Sequence, residues 1–260
     1  MVTEAHGERP NAKLLGLMWL VAAVLVAIGI ARGFSLLVAL IPFRVEAQVA
    51  EKLPTPMQEA ACHSGPGEAA LAKLVGRIYP LEPEDAKIPL RVEAIVGREV
   101  NAFAFLAGHI YLARGLIDEA ESPEEIAGVL AHEIEHVRRR HVLEGLLVRL
   151  GTWAALNLVV STDAAPVAEI ARELAGLQYG KTQEAEADEG GLRRLVRAEV
   201  DVAGFRDFFE RQHHRALRID LLSDHPSDTS RSARAAEFLG RPHRPVLEPA
   251  EWRDLRQLCR

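Results

Sequence analysis

The sequence predicts an α+β domain, mainly helical, with a small antiparallel sheet, preceded by one N-terminal transmembrane helix. Three observations carry this expectation. An uncharged apolar run of 18 residues stands near the N-terminus. Short alternating stretches are confined to residues 90–112, and amphipathic helical periodicity dominates the chain beyond them.

The apolar run is Leu14 to Ala31, bracketed by Lys13 and Arg32. At ~1.5 Å rise per residue it is long enough to cross a bilayer core. A cleaved secretory signal is the rival reading, but no convincing small-x-small site comes after it. The expected organisation is a tail over 1–13, an anchor over 14–31 and a soluble domain over 44–260. Arg9 and Lys13 precede the span, against Arg32, Arg44 and Lys52 after it, so positive charge gives no orientation.

Pro54, Pro56 and Ser64-Gly65-Pro66-Gly67 mark loops, and Glu68 to Ile78 reads as a helix. Leu90 to Val96 alternates as a half-buried strand. Turns at Gly97-Arg98-Glu99 and Ala107-Gly108 separate it from strands at Val100–Phe105 and His109–Leu112. Asn101, Ala102, Phe103 and Ala104 thus form a strand that can bind an extended peptide by main-chain addition, or pack as an ordinary hairpin.

The next helix carries the chemistry. Ser122 is its N-cap, Pro123 its first residue and Glu125 the capping-box carboxylate. Ile126, Val129, Leu130, Ile134 and Val137 recur on one buried face. Within it lies His132-Glu133-Ile134-Glu135-His136. Positions four apart stack on one side of a helix, so His132 and His136 can aim at one ion. Glu133 is rotated about 100° from His132 and is left to act on a water. Such a pentapeptide also occurs on ordinary exposed helices, so a third ligand is needed.

Glu184 and Asp188 supply a candidate, four apart at the start of a later helix. Glu184 can ligate, and Asp188 can accept from a ligating imidazole. Paired carboxylates are more often a solvated face. His141 lies five residues past His136, off the ligand face, and reads as structural. Val142 to Val160 is apolar but interrupted by Glu144 and Arg149, which argues against a second span.

Ordered blocks from Val92 to Leu239 resemble the membrane-associated zinc metallopeptidases that include HtpX and the CAAX prenyl protease. The blocks are Asn101–Ala104 with Gly108–Tyr111, Gly115–Ile117, Leu130–Val137, Glu184-x-x-Ala187-Asp188, and His225-Pro226 with Arg231. The resemblance implies a zincin-like fold and one zinc per chain on His132, His136 and Glu184, with Glu133 as general base. It makes Asn101–Ala104 the substrate strand, and it brings His225 and Arg231 over the cleft as oxyanion partners. Read locally, His225 is also a loop histidine able to fill the fourth zinc position, and Arg231 a surface arginine. Lys181 stands where many relatives carry Arg.

The implied activity is endopeptidase cleavage of unfolded or misfolded polypeptides. The alternative is a restrained peptide-binding or chaperone-like module that keeps the zinc fold; an intact Glu133 favours the enzyme. A net charge of −6 and 5% aromatic residues exclude a nucleic-acid footprint. Expected partners are polypeptides, the membrane through residues 14–31, and an unidentified regulatory protein. Cys62 and Cys259 flank the soluble domain and are expected to pair, which with the anchor places the domain on the periplasmic side of a bacterial-type inner membrane. Two separate thiols in a reducing compartment are the competing reading.

Overall fold

The structure is a computed structural model that describes residues 17, 19, 37–53, 60–149, 177–216 and 230–260. Pro42–Arg260 forms one compact unit, and Met1–Ile41 is a separate one. Apart from Leu17 and Trp19, the expected anchor lies outside the described residues, as does the tail over 1–13. Among the described residues, no helix is long and apolar enough to cross a membrane.

The larger unit opens with α1 (Phe43–Lys52) and α2 (Gly65–Ile78). Strands β1 (Arg91–Ile95), β2 (Ala102–Ala104) and β3 (His109–Ala113) come next, then α3 (Arg114–Glu119) and α4 (Pro123–Arg139). Residues 141–149 are helical. Beyond them come α5 (Lys181–Arg197), α6 (Ala203–Ala216), α7 (Ser230–Ala236) and α8 (Pro249–Arg256).

The sheet departs from the antiparallel expectation. Its order is β1-β3-β2, with β2 antiparallel to β3 but β1 parallel to β3. The turn at Ala107-Gly108 is tight, both residues having positive φ, so β2 and β3 form a hairpin. Residues 96–101 instead carry the chain past β3 to the far edge, which leaves β1 and β3 running the same way. The sheet is therefore mixed. The outer side of β1 is capped by an isolated bridge, Ala61 to Ile95.

Helix α4 begins as its sequence dictates: Ser122 Oγ accepts from Glu125 N at 3.3 Å. The reciprocal bond is displaced by one residue, since Glu125 Oε2 accepts from Glu121 N at 2.9 Å. Arg211 of α6 draws the carboxylate outward, with guanidinium nitrogens at 2.6 and 2.7 Å. All five periodic apolar residues of α4 are buried.

Two glycines let neighbouring helices approach α4 at backbone distance. A Cβ on Gly128 would stand 2.8 Å from Phe205 Cα, and one on Gly191 would stand 3.1 Å from His132 N. The α4–α5 contact is further held by buried charge. Arg194 bonds Asp85 at 2.9 Å and Glu135 at 3.0 Å, and Arg138 reaches Asp85 at 2.8 Å and Glu135 at 2.9 Å. At the opposite edge a disulfide joins Cys62, beside β1, to Cys259 beyond α8.

Candidate metal centre

His132 and His136 project from α4 toward Glu184 on the first turn of α5. The two Nε2 atoms are 3.0 Å apart. Glu184 Oε2 lies 3.6 Å from His132 Nε2, and Oε1 lies 3.4 Å from His136 Nε2. All three side chains are buried, and together they form a group able to hold a metal ion. Bonds of about 2.0–2.1 Å at a tetrahedral angle would put donor atoms roughly 3.3 Å apart. The observed spacings bracket that value, so this donor set fits zinc.

The first turn of α5 is fixed by Gln183, whose Oε1 accepts from Gly180 N at 3.1 Å and whose Nε2 donates to Glu144 at 2.9 Å. The close approach at Gly191 then sets the depth at which α5 meets α4.

Around the donors sits a layer of polar and aromatic groups. Asp188 Oδ1 is 2.9 Å from His132 Nδ1. Burial alone would raise the Asp188 carboxyl; the bond to His132 and the charge of Arg231 overcome it and hold the group well below the usual carboxylate range. His136 is stacked on Tyr179 with ring centroids 3.8 Å apart. Its Nδ1 faces His141 Nδ1 at 2.9 Å. Burial, with the charge of Arg139, pulls His141 down to about 3.

Arg231 differs from the expectation of a group over an open cleft. Its guanidinium is buried, donating from Nε to Asp188 Oδ2 and from Nη2 to Glu184 Oε2, each at 2.8 Å. It lies 4.2 Å above the Phe209 ring. Arg234 adds a further 2.8 Å bond to Asp188. Arg231 thus stands against two carboxylates of the centre, Glu184 and Asp188. His225 lies outside the described residues.

Glu133 is buried beside the donors, and its Oε2 accepts from Ala104 N at 2.9 Å. This bond fixes the orientation of β2. Asn101 O accepts from Ala113 N and Phe105 N donates to His109 O, so odd-numbered residues turn their peptide groups to β3. Those of Ala102 and Ala104 point away from β3, the side on which Ala104 N meets Glu133. Phe103 and Phe105 pack on Tyr111, with centroids at 5.4 and 6.1 Å.

Sequence reasoning missed His141, Tyr179 and the acceptor role of Glu133 toward Ala104. The short interval between His136 and His141 was the available signal. It becomes intelligible only because α4 ends at Arg139 and Arg140 takes a left-handed conformation, φ 59°.

Several known proteases are similar to this chain in sequence. The beta-barrel assembly-enhancing protease of Escherichia coli is 28% identical over 182 residues, covering 64% of this chain and 37% of that protein. Metalloprotease LoiP of Escherichia coli is 29% identical over 55% of this chain and 60% of its own length. The mitochondrial metalloendopeptidase OMA1 of Arabidopsis thaliana is 35% identical over 53% of this chain and 29% of its own. The chain thus spans between about a third and three fifths of the length of these relatives. The profile of Peptidase family M48 matches residues 80–238, more than half of the sequence and all three donors. The chain belongs to Peptidase family M48.

Proposed function

We propose that this chain is a membrane-anchored zinc endopeptidase acting on unfolded or misfolded polypeptides of the cell envelope. The observation that carries the reading is the junction of Glu133 with the edge strand: one carboxylate neighbours both a three-donor metal cluster and the backbone of β2.

An extended polypeptide adds along the edge of β2 through the peptide groups of Ala102 and the Ala104 carbonyl, the Ala104 N–H being taken by Glu133. Recognition through main chain alone needs little side-chain identity, which suits unfolded substrates. His132, His136 and Glu184 would hold a zinc ion, which when bound would supply Lewis-acid chemistry. Glu133 removes a proton from the attacking water as its oxygen adds to the carbonyl carbon. The same carboxyl then delivers that proton to the departing amine nitrogen as the C–N bond breaks. Asp188 orients His132, and Arg231 orients Glu184 and Asp188. His225 is assigned the contact with the tetrahedral oxyanion.

The anchor reading rests on Leu14–Ala31, and the periplasmic placement on that anchor with the Cys62–Cys259 bond, since disulfides persist in oxidising compartments. The domain bounds proposed are 14–31 and 44–260.

The test is digestion of casein by the purified chain with and without a chelator, beside Glu133→Gln. Metal-dependent cleavage lost in the variant is expected. Binding of casein with no cleavage by the zinc-loaded wild type would favour the restrained peptide-binding module instead.

A further inference from the structure

We infer that His141 is a positioning residue of the metal centre, accepting the Nδ1 proton of His136 and so fixing the tautomer that offers Nε2 to zinc. The inference rests on the assignment of His132, His136 and Glu184 as ligands and extends it by one residue.

Two ring nitrogens 2.9 Å apart, both buried, form a hydrogen bond only if one donates and the other accepts. The geometry says which. His136 Nε2 is the atom turned to His132 and Glu184, at 3.0 and 3.4 Å. An imidazole that ligates through Nε2 carries its proton on Nδ1, and the partner of that proton sets ring orientation and basicity. His141 Nδ1 is therefore the acceptor, and the His141 proton sits on Nε2. That nitrogen faces Glu186 Oε2 at 3.5 Å, which in turn lies 3.5 Å from Arg139. The order of protons runs consistently outward from the metal centre to a solvent-facing carboxylate.

Chain geometry makes this possible. On one continuous helix, residues five apart diverge by roughly 140° at 3.6 residues per turn. Helix α4 stops at Arg139, Arg140 adopts φ 59°, and a new helical segment begins at 141. The turn returns His141 to the ring it would otherwise face away from. Tyr179 stacks on His136 and restricts its tilt. The two ligating histidines are thus held differently: His132 by the Asp188 carboxylate, His136 by a neutral imidazole that adds no charge to the centre.

The test compares zinc dissociation constants, by chelator competition on the full chain, for wild type, His141→Leu, His141→Asn and His136→Ala. Asn places its Oδ1 where His places Nδ1, so it retains an acceptor. His141→Leu should weaken zinc binding by about 10–100-fold, and His141→Asn should recover most of that loss. Nitrogen-15 spectra of the zinc-loaded wild type should show His141 protonated on Nε2 and not on Nδ1; this readout needs no variant to fold. An Nδ1-protonated His141, wild-type affinity in His141→Leu, or Asn as weak as Leu would each overturn the inference. Loss of zinc in His136→Ala beside full retention in His141→Leu overturns this inference alone, whereas full retention in His136→Ala overturns the ligand assignment with it.

Discussion

Arg231 Nη2 donates to Glu184 Oε2 across 2.8 Å inside the protein, while its Nε donates to Asp188. One cation thus compensates the carboxylate of the candidate metal cluster and the carboxylate behind His132. Removing it takes one partner from each carboxylate, Asp188 keeping Arg234, and a broken buried pair costs about 3–5 kcal/mol. Arg231→Ala should therefore lower the denaturation midpoint of the metal-free protein and weaken zinc binding together. Wild-type stability and zinc content with only kcat reduced would instead support contact with the oxyanion.

Zinc content should be one per chain, and His136→Ala or Glu184→Ala should lose metal and turnover together. Glu133→Gln should keep the metal and lose about 10²–10⁴ in rate, the usual contribution of a general base. Metal analysis after dialysis decides this. Stoichiometric zinc in a variant lacking both His136 and Glu184 would refute the assignment.

Asp85 gives a pH dependence remote from the donors. Burial on its own would raise its carboxyl, but bonds from Arg194 and the Leu81 N–H, with the charge of Arg194 and Arg138, hold it below the usual range. A carboxylate held low stabilises the fold above its unfolded value of about 3.9, and this is lost as pH falls through the folded value. Asp85→Asn should cost about 3 kcal/mol at pH 7. Urea titrations of both proteins should show the difference closing below pH about 4. A gap that stays constant to lower pH would contradict the linkage.

The Cys62–Cys259 bond closes a loop across a sequence separation of 197 residues. Constraint of the unfolded chain on that scale gives roughly 2–5 kcal/mol. Reduction by a phosphine, which spares zinc better than a dithiol, should lower the melting temperature by roughly 5–15 °C. Cys62→Ser with Cys259→Ser should melt at the reduced temperature. Free thiols in natively purified protein would remove the argument for an oxidising compartment.

Local rules made α4 legible, because its cap, first proline and apolar stripe are all set within the helix itself. They also placed His132 and His136 on one side, since that needs only the helical repeat. The direction of β1 was not legible: alternation reveals a strand but not its neighbour, and the crossing over 96–101 is a tertiary choice. Arg231 looked like a surface group because its partners are more than forty residues away. His141 was obscured by assuming an unbroken helix, an assumption that Arg140 alone undoes. The pairing of Glu184 with the histidines was suggested by resemblance, since carboxylates four apart carry no address of their own.

The near-contact at Gly191 has a mechanical consequence. Helices α4 and α5, which carry the three donors of the cluster, meet at Gly191 without an intervening side chain and are braced by Arg194 of α5 on Glu135 of α4. Prying them apart would break the buried Arg194–Glu135 pair and the contact of Asp188 with His132, so the two behave as one rigid body. The β2–β3 hairpin meets α4 at Glu133, which accepts a hydrogen bond from Ala104 N. Through that bond a displacement of β2 is transmitted to the turn of α4 between His132 and His136.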